Sequence, residues 1–148
     1  MYCTVPDVLA LLPEAEVLQL ADDALTGDLA APEVQAVLAE AIEQAGREID
    51  AFVQAVRPVP LTPVPGLIAN LAAKLAGHNL WLRRPGVTEP EAWKDETARC
   101  RRLLEHIALG KLALGAPAGA DPATEPATDN APAFAKGESV MDTYTGGW

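Results

Sequence analysis

Apolar residues recur at three- and four-residue steps through most of the first 112 positions, which predicts an all-α body. The clearest stripe is Val34, Leu38, Ala41, Ile42, Ala45, Ile49, Phe52, Val53 and Val56. Glu33, Glu40, Glu43 and Glu48 lie mostly off it, so one face is apolar and the other charged. Pro32 suits the first turn of this helix, and the chain must leave it before Pro58. An earlier helix starts at Thr4-Val5-Pro6-Asp7, where a Thr with an acid three residues on is a capping signal. It ends near Pro13, with a short continuation through Val17 to Leu20. Asp22 and Asp23 open a turn through Gly27.

Four prolines then fall between Arg57 and Pro65. They exclude helix and disfavour a central strand, so this stretch is a stiff extended crossover. A further helix runs from about Pro65 to Arg84, with Val64, Ile68, Leu71, Leu75 and Leu82 on its buried stripe and Ala72, Ala73 and Ala76 permitting close approach. Pro85-Gly86 ends it. Thr88-Glu89-Pro90-Glu91 repeats the capping signal, and the last helix continues to about Lys111. Its inward face is Trp93, Thr97, Cys100, Leu104 and Ile107, with Asp95 and Arg99 paired outside. The expected body is four-helix bundle-like, residues 1–114, with the Pro-rich crossover inside it.

Residues 115–148 break this pattern. From Gly115 to Gly137 there are eight Ala, four Pro and three Gly, and Phe134 is the one large apolar side chain. Such a stretch buries too little surface to offset its ordering entropy. Its spaced prolines favour extended chain, and the whole arm could reach about 110 Å. Met141, Tyr144 and Trp148 follow, and Trp148 comes after two glycines with no local reason to be buried. Phe134, Met141, Tyr144 and Trp148 are therefore the candidate partner-binding residues of a long C-terminal arm.

Composition narrows the function. At 49% hydrophobic the chain is globular rather than disordered, and no apolar run is long enough for a bilayer. No signal peptide is evident at the start. Cys3 and Cys100 sit in neither metal nor redox spacing and read as reduced thiols. The net charge is −10, unevenly placed. Residues 1–56 carry 11 acids and one base, whereas residues 57–112 carry five acids and nine bases. Such an acidic chain is poorly suited to wrapping nucleic acid. The two halves could complement each other between copies, with Arg99, Arg101 and Arg102 as inter-subunit charge contacts, or pair within one chain.

Candidate chemistry is sparse. His78 and His106 fall on separate helices without metal-ligand spacing, and no phosphate-binding loop or nucleophile elbow occurs. Asp22 and Asp23 could hold a cation, but a solvated helix–turn boundary is the stronger reading of them. Trp81 and Trp93 suit packing in or beside the core better than stacking on a base. The expectation is a protein that is not an enzyme and uses no cofactor or metal.

A series of segments carries a resemblance. Ala45-Gly46-Arg47-Glu48-Ile49-Asp50-Ala51-Phe52, Arg57-Pro58-Val59-Pro60-Leu61, Val64-Pro65 and Leu71-Ala72 come first. Glu105-His106-Ile107-Ala108-Leu109-Gly110-Lys111 and Leu114-Gly115 close the series. Over roughly residues 2–115 the chain resembles small Mu-like phage neck proteins, which are similar to the head–tail connector, or adaptor, proteins of long-tailed phages. Where that family often has an aromatic before its Pro-x-x-Leu segment, this chain has Arg57-Pro58. The resemblance implies a virion protein made in the host cytoplasm and located at the neck. It would be a homo-oligomer, commonly a dodecamer, ringed beneath the portal protein. The ring would extend the DNA channel without sequence-specific binding or membrane contact and dock a stopper or tail-completion protein. A small non-viral helical regulatory or scaffolding module with a disordered interaction tail is the alternative that composition leaves open.

Overall fold

The computed structural model describes residues 1–115, and among them the chain is all α-helical. Five helices follow one another: α1 (Val5–Leu9), α2 (Glu14–Ala21), α3 (Pro32–Val53), α4 (Gly66–Arg83) and α5 (Glu91–Ala108). None is long and apolar enough to cross a membrane. The body thus has five helices rather than four, because Pro13 divides the first stretch. Leu12 closes α1 through its N–H to the Val8 carbonyl, and the Pro13 carbonyl then accepts from Glu16 and Val17 to start α2. At the other end of α1, the Asp7 carboxylate accepts from the Thr4 N–H and the Thr4 hydroxyl, each at 2.7 Å.

α4 is the centre of the body and packs against all four other helices. Ile68, Leu71, Leu75 and Leu80 supply its bulk, while Ala72, Ala73, Ala76 and Gly77 are buried small residues that admit its neighbours. α3 lies antiparallel to it: the Asn79 side-chain N–H donates to the Ala41 carbonyl at 3.2 Å, and residues 79–83 near the end of α4 border one groove with residues 36–44 in the first half of α3. The stripe predicted for α3 is buried at Val34, Leu38, Ala41, Ile42, Ala45, Ile49 and Val53. Gly77 carries the tightest contact. A Cβ there would fall 2.5 Å from Trp93 and 3.3 Å from Leu12, so the bare backbone is what lets α1 and α5 close on α4 together.

The Pro-rich crossover spans residues 54–65 and includes cis peptides before Pro60 and Pro63. Buried Leu61 anchors it. The Leu61 N–H donates to the Tyr2 hydroxyl at 3.0 Å, and that hydroxyl donates in turn to Asp50 on α3. One tyrosine thereby ties the N-terminal segment, the crossover and α3 together.

Several boundaries and faces differ from the sequence reading. Val64 precedes the first helical residue, so the phase of α4 does not govern it, and it is exposed. Leu82 is also exposed, at the rim of a groove where the facing α3 residues are the small Ala36 and Ala41. Val56 lies past the end of α3 and is exposed. The capping signal at Thr88 does not form: the residue before α5 is Pro90, and Glu89 engages His78 instead. α5 ends at Ala108, not near Lys111. Gly110 adopts φ 69 there, and the Lys111 N–H turns back to the His106 carbonyl. Arg99 leans toward Glu96, at 3.9 Å, rather than pairing with Asp95.

Two substitutions probe these contacts. Gly77→Ala gains helix propensity but forces the Trp93 ring aside, and the expected net result is a loss of about 1–3 kcal/mol by urea unfolding. A Gly77→Ala, Trp93→Leu double variant should cost less than the two single changes added together, because the clash is then relieved. Tyr2→Phe leaves the Leu61 N–H buried without its acceptor and should cost about 1–3 kcal/mol. A Tyr2→Phe chain as stable as the wild type would show that the crossover is held by other means.

Candidate functional site

Charged residues in the body are organised into three seams. At the end where α2 and α4 finish, Arg83 and Arg84 clasp Asp23, with Arg84 at 2.7 Å. Arg83 also donates to the Leu20 carbonyl at 3.2 Å and Arg84 to the Asp22 carbonyl at 3.1 Å. These guanidiniums satisfy carbonyls at the open end of α2. Donation by Arg83 holds the Asp23 carboxyl below its ordinary range. Along α5, Lys74 meets Glu96 at 2.5 Å, which lowers the Glu96 pKa in the same way.

The third seam joins α3, α4 and α5. Arg101 donates to Glu48 at 2.7 Å, and this bond, with Glu89 adding to it, raises the Arg101 pKa. Glu89 in turn lies 2.7 Å from His78 Nδ1, and both of those side chains are about one-tenth exposed. Two pairs, Glu48 with Arg101 and Glu89 with His78, therefore tie α3 to α5 and α4 to the loop before α5. Sequence reading missed this seam because Glu48 and Arg101 are far apart along the chain. The seams also decide where the uneven charge goes: Arg83, Arg84 and Arg101 of the basic half pair with Asp23 and Glu48 of the acidic half inside one chain.

Of the proposed inter-subunit arginines, Arg101 is thus committed to Glu48 within its own chain. Arg99 is largely exposed on α5, and exposed Arg102 has no ion-pair partner among the described residues. Phe134, Met141, Tyr144 and Trp148 lie outside the described residues. Asp22 Oδ2 accepts from the Gly27 N–H at 2.7 Å and the Thr26 hydroxyl at 3.2 Å, and the Gly27 bond foremost lowers its pKa. Asp22 and Asp23 thus brace a loop. Among the described residues no three His, Cys, Asp or Glu side chains converge as metal ligands. Burial pushes the Cys3 thiol up to about 11 and raises Cys100 as well, so both are poor nucleophiles at neutral pH.

Besides a shallow cleft between α1 and α4 lined by Ala10, Leu11, Ala69 and Asn70, three further shallow surfaces lie on the described residues. One lies between α3 and α4 near Leu82. The second adjoins Met1, Cys3, Ile42 and Val64. The third is at the end of α5, lined by Val56, Arg57, Ile107, Gly110, Leu112 and Leu114. All are open clefts suited to a side chain or a segment of another protein rather than to an enclosed substrate.

In comparison with known proteins, the family model described as bacteriophage Mu, Gp36 matches residues 2–132. No curated protein matches the chain.

The lowered carboxyl groups set a pH dependence. A carboxyl whose folded-state pKa is depressed stabilises the fold fully above its ordinary value, and that contribution fades as pH falls through the folded-state value. For Asp22 and Asp23 the ordinary value is 3.8. The melting temperature should therefore fall as the pH is taken from about 5 toward 2. The fall should be shallower in Asp23→Asn, measured by circular dichroism. Equal slopes in the two proteins would mean that the Asp23–Arg83 seam does not couple to folding.

Proposed function

The chain belongs to the bacteriophage Mu Gp36 family, and we propose that this phage protein serves as a head–tail connector of the adaptor type. In this reading copies form a ring beneath the portal, extend the DNA channel and present a docking surface to the stopper or tail. The observation that carries it is the family match across residues 2–132, which takes in the body and much of the arm. Within that frame, segments 45–52, 57–61, 64–65, 71–72, 105–111 and 114–115 resemble small Mu-like phage proteins, which are similar to connector proteins. Membership in a phage family sets aside the non-viral module.

Two physical features support the reading. The acids and His78 that could have served catalysis are bound into seams between helices, which suits a rigid structural part better than an enzyme. Exposed Glu33, Glu40 and Glu43 on α3 would repel phosphate, so a lumen bordered by such a face would let DNA pass without adhering. The 33 residues beyond Gly115 add the means of attachment. Their composition rewards ordering only against a second surface, and Phe134, Met141, Tyr144 and Trp148 are the side chains with enough apolar area to anchor them on the portal or a neighbouring subunit.

Deletion of residues 116–148 is the direct test. The truncated chain should keep its helical circular dichroism and lose its ability to join portal-containing heads. Infectious particles completed by the truncated chain would remove the arm from the proposed role. A neck reconstruction with no density for this chain would remove the role itself.

A further inference from the structure

The chain does not leave the body at the end of α5. The helix closes at Ala108, and the residues after it fold back onto the body. The Lys111 and Leu112 N–H groups both donate to the His106 carbonyl, at 2.9 and 3.2 Å. Gly110 and Gly115 stand at φ 69 and φ 78, left-handed angles that suit glycine, so the segment has a turn at each end. Between the turns the side chains alternate. Leu112 and Leu114 pack against the core, whereas Lys111 and Ala113 face solvent. That two-residue period is the mark of an extended strip lying on a surface.

Arg57 holds the far end of the strip. Its N–H donates to the Val53 carbonyl at 2.9 Å, which keeps it on the last turn of α3. Its guanidinium donates to the Gly115 carbonyl, 58 residues on. Among the described residues this guanidinium meets no carboxylate, unlike those of Arg47, Arg83, Arg84 and Arg101, which acids engage. A charged donor makes a stronger bond to a carbonyl than a neutral one does. Leu112 and Leu114 are only half-buried, so they add less to the core than the buried leucines of the helices.

What the strip does change is where residues 116–148 begin. Peeled from the body, residues 109–115 would give about 24 Å of slack when extended. Length alone matters little. A tether of about 40 residues in place of 33 lowers effective concentration by only about a quarter on the −3/2 power dependence. Ordering matters more, because each freed residue must be fixed again when a partner is bound. We infer that residues 109–115 are a strap that fixes the starting point of the C-terminal arm beside the end of α3, with Arg57 as its latch. Arg57 is then a positioning residue, acting on the arm through the strap. Its use rests on the connector reading: a fixed root gives every copy the same origin for reaching the portal or a neighbour.

The strap is tested on the purified full-length chain by limited trypsin digestion, with the 1–111 fragment read by mass spectrometry. Lys111 is exposed, and cleavage after it requires the strip to lift. Arg57→Ala should release this fragment about fivefold faster or more, at an unchanged melting temperature, as when a charged hydrogen bond is lost. Arg57→Lys keeps a charged donor and should restore part of the protection. A rate that stays the same, or that rises only in step with a lower melting temperature, overturns the strap. Its use is tested in assembled particles. An Arg57→Ala, Leu114→Ser variant that keeps its helical circular dichroism should enter heads about fivefold less well, or worse, in competition with the wild type. Equal incorporation would overturn the positioning role. Particles that lack even the wild-type chain would overturn the connector reading and leave the digestion result standing.

Discussion

The body depends on one helix being thin. α4 is buried on nearly every side, and four other helices must reach it. Were it lined throughout with leucine, α3 and α5 could not both pack closely while α1 and α2 covered its remaining faces. Ala72, Ala73, Ala76 and Gly77 resolve this by removing volume where neighbours cross. Gly77 is the extreme case, since the Trp93 ring and the Leu12 side chain already occupy the space a Cβ would need. Large side chains then come from the partners, including Leu38, Ile42 and Ile49 of α3, Leu104 and Ile107 of α5, and Val17 and Leu20 of α2. Each such side chain contributes about 1.5–3 kcal/mol by leaving water. Partly exposed ion pairs contribute about 0–1 kcal/mol each. The apolar packing on α4 therefore holds the body together.

The charged seams have a different task, which is to choose among arrangements the core would tolerate. An α5 rotated about its axis would still bury much apolar surface. It would also separate Arg101 from Glu48 and leave Glu89 and His78, both nearly buried, without each other. A carboxylate left buried without its donor costs far more than the pair yields, so the Glu48–Arg101 and Glu89–His78 pairs penalise the wrong rotation. Arg83 and Arg84 do the same at the other end, where they satisfy open carbonyls of α2 and fix the loop that follows. The Tyr2 hydroxyl performs this service for the crossover, which has few N–H groups because of its prolines.

How much of this was legible in the sequence follows from the range of the forces involved. α3, α4 and α5 were readable to within a few residues, because periodicity and flanking prolines are local signals. The break between α1 and α2 was half-readable, since Pro13 marks a boundary but not whether a new helix starts at once. Exposure of Val64 and Leu82 was not readable, because it depends on what faces each position rather than on the residue itself. The Thr88 signal failed for a related reason: Glu89 had a stronger partner in His78, on another helix. Glu48 with Arg101 and Asp23 with Arg83 are juxtapositions that only the folded chain creates. Leu25 is the extreme case, because nothing in the letters of a turn announces a leucine at positive φ. The anchor residues assigned to the arm lie beyond Gly115 and rest on composition and the resemblance.

A subunit meant for assembly faces a conflict between internal order and external adhesion. Charged groups spent on fixing helices cannot also recognise a neighbour, and here Arg83, Arg84, Arg101, Lys74, Glu48, Glu89, Glu96 and Asp23 are all spent. What remains exposed and without an ion-pair partner among the described residues includes Arg102 and Lys111 against Glu14, Asp28, Glu33, Asp95 and Glu105, with Arg99 only loosely held by Glu96. Arg47 already bridges Glu40 and Glu43, which keeps them out of that set. The free charges are mostly acidic, so copies do not attract one another at long range, and specificity between them must come from shape at short range. In the proposed connector, attachment to other components would fall to residues 116–148, whose composition is too poor in large apolar side chains for a core of their own and rewards contact with a second surface.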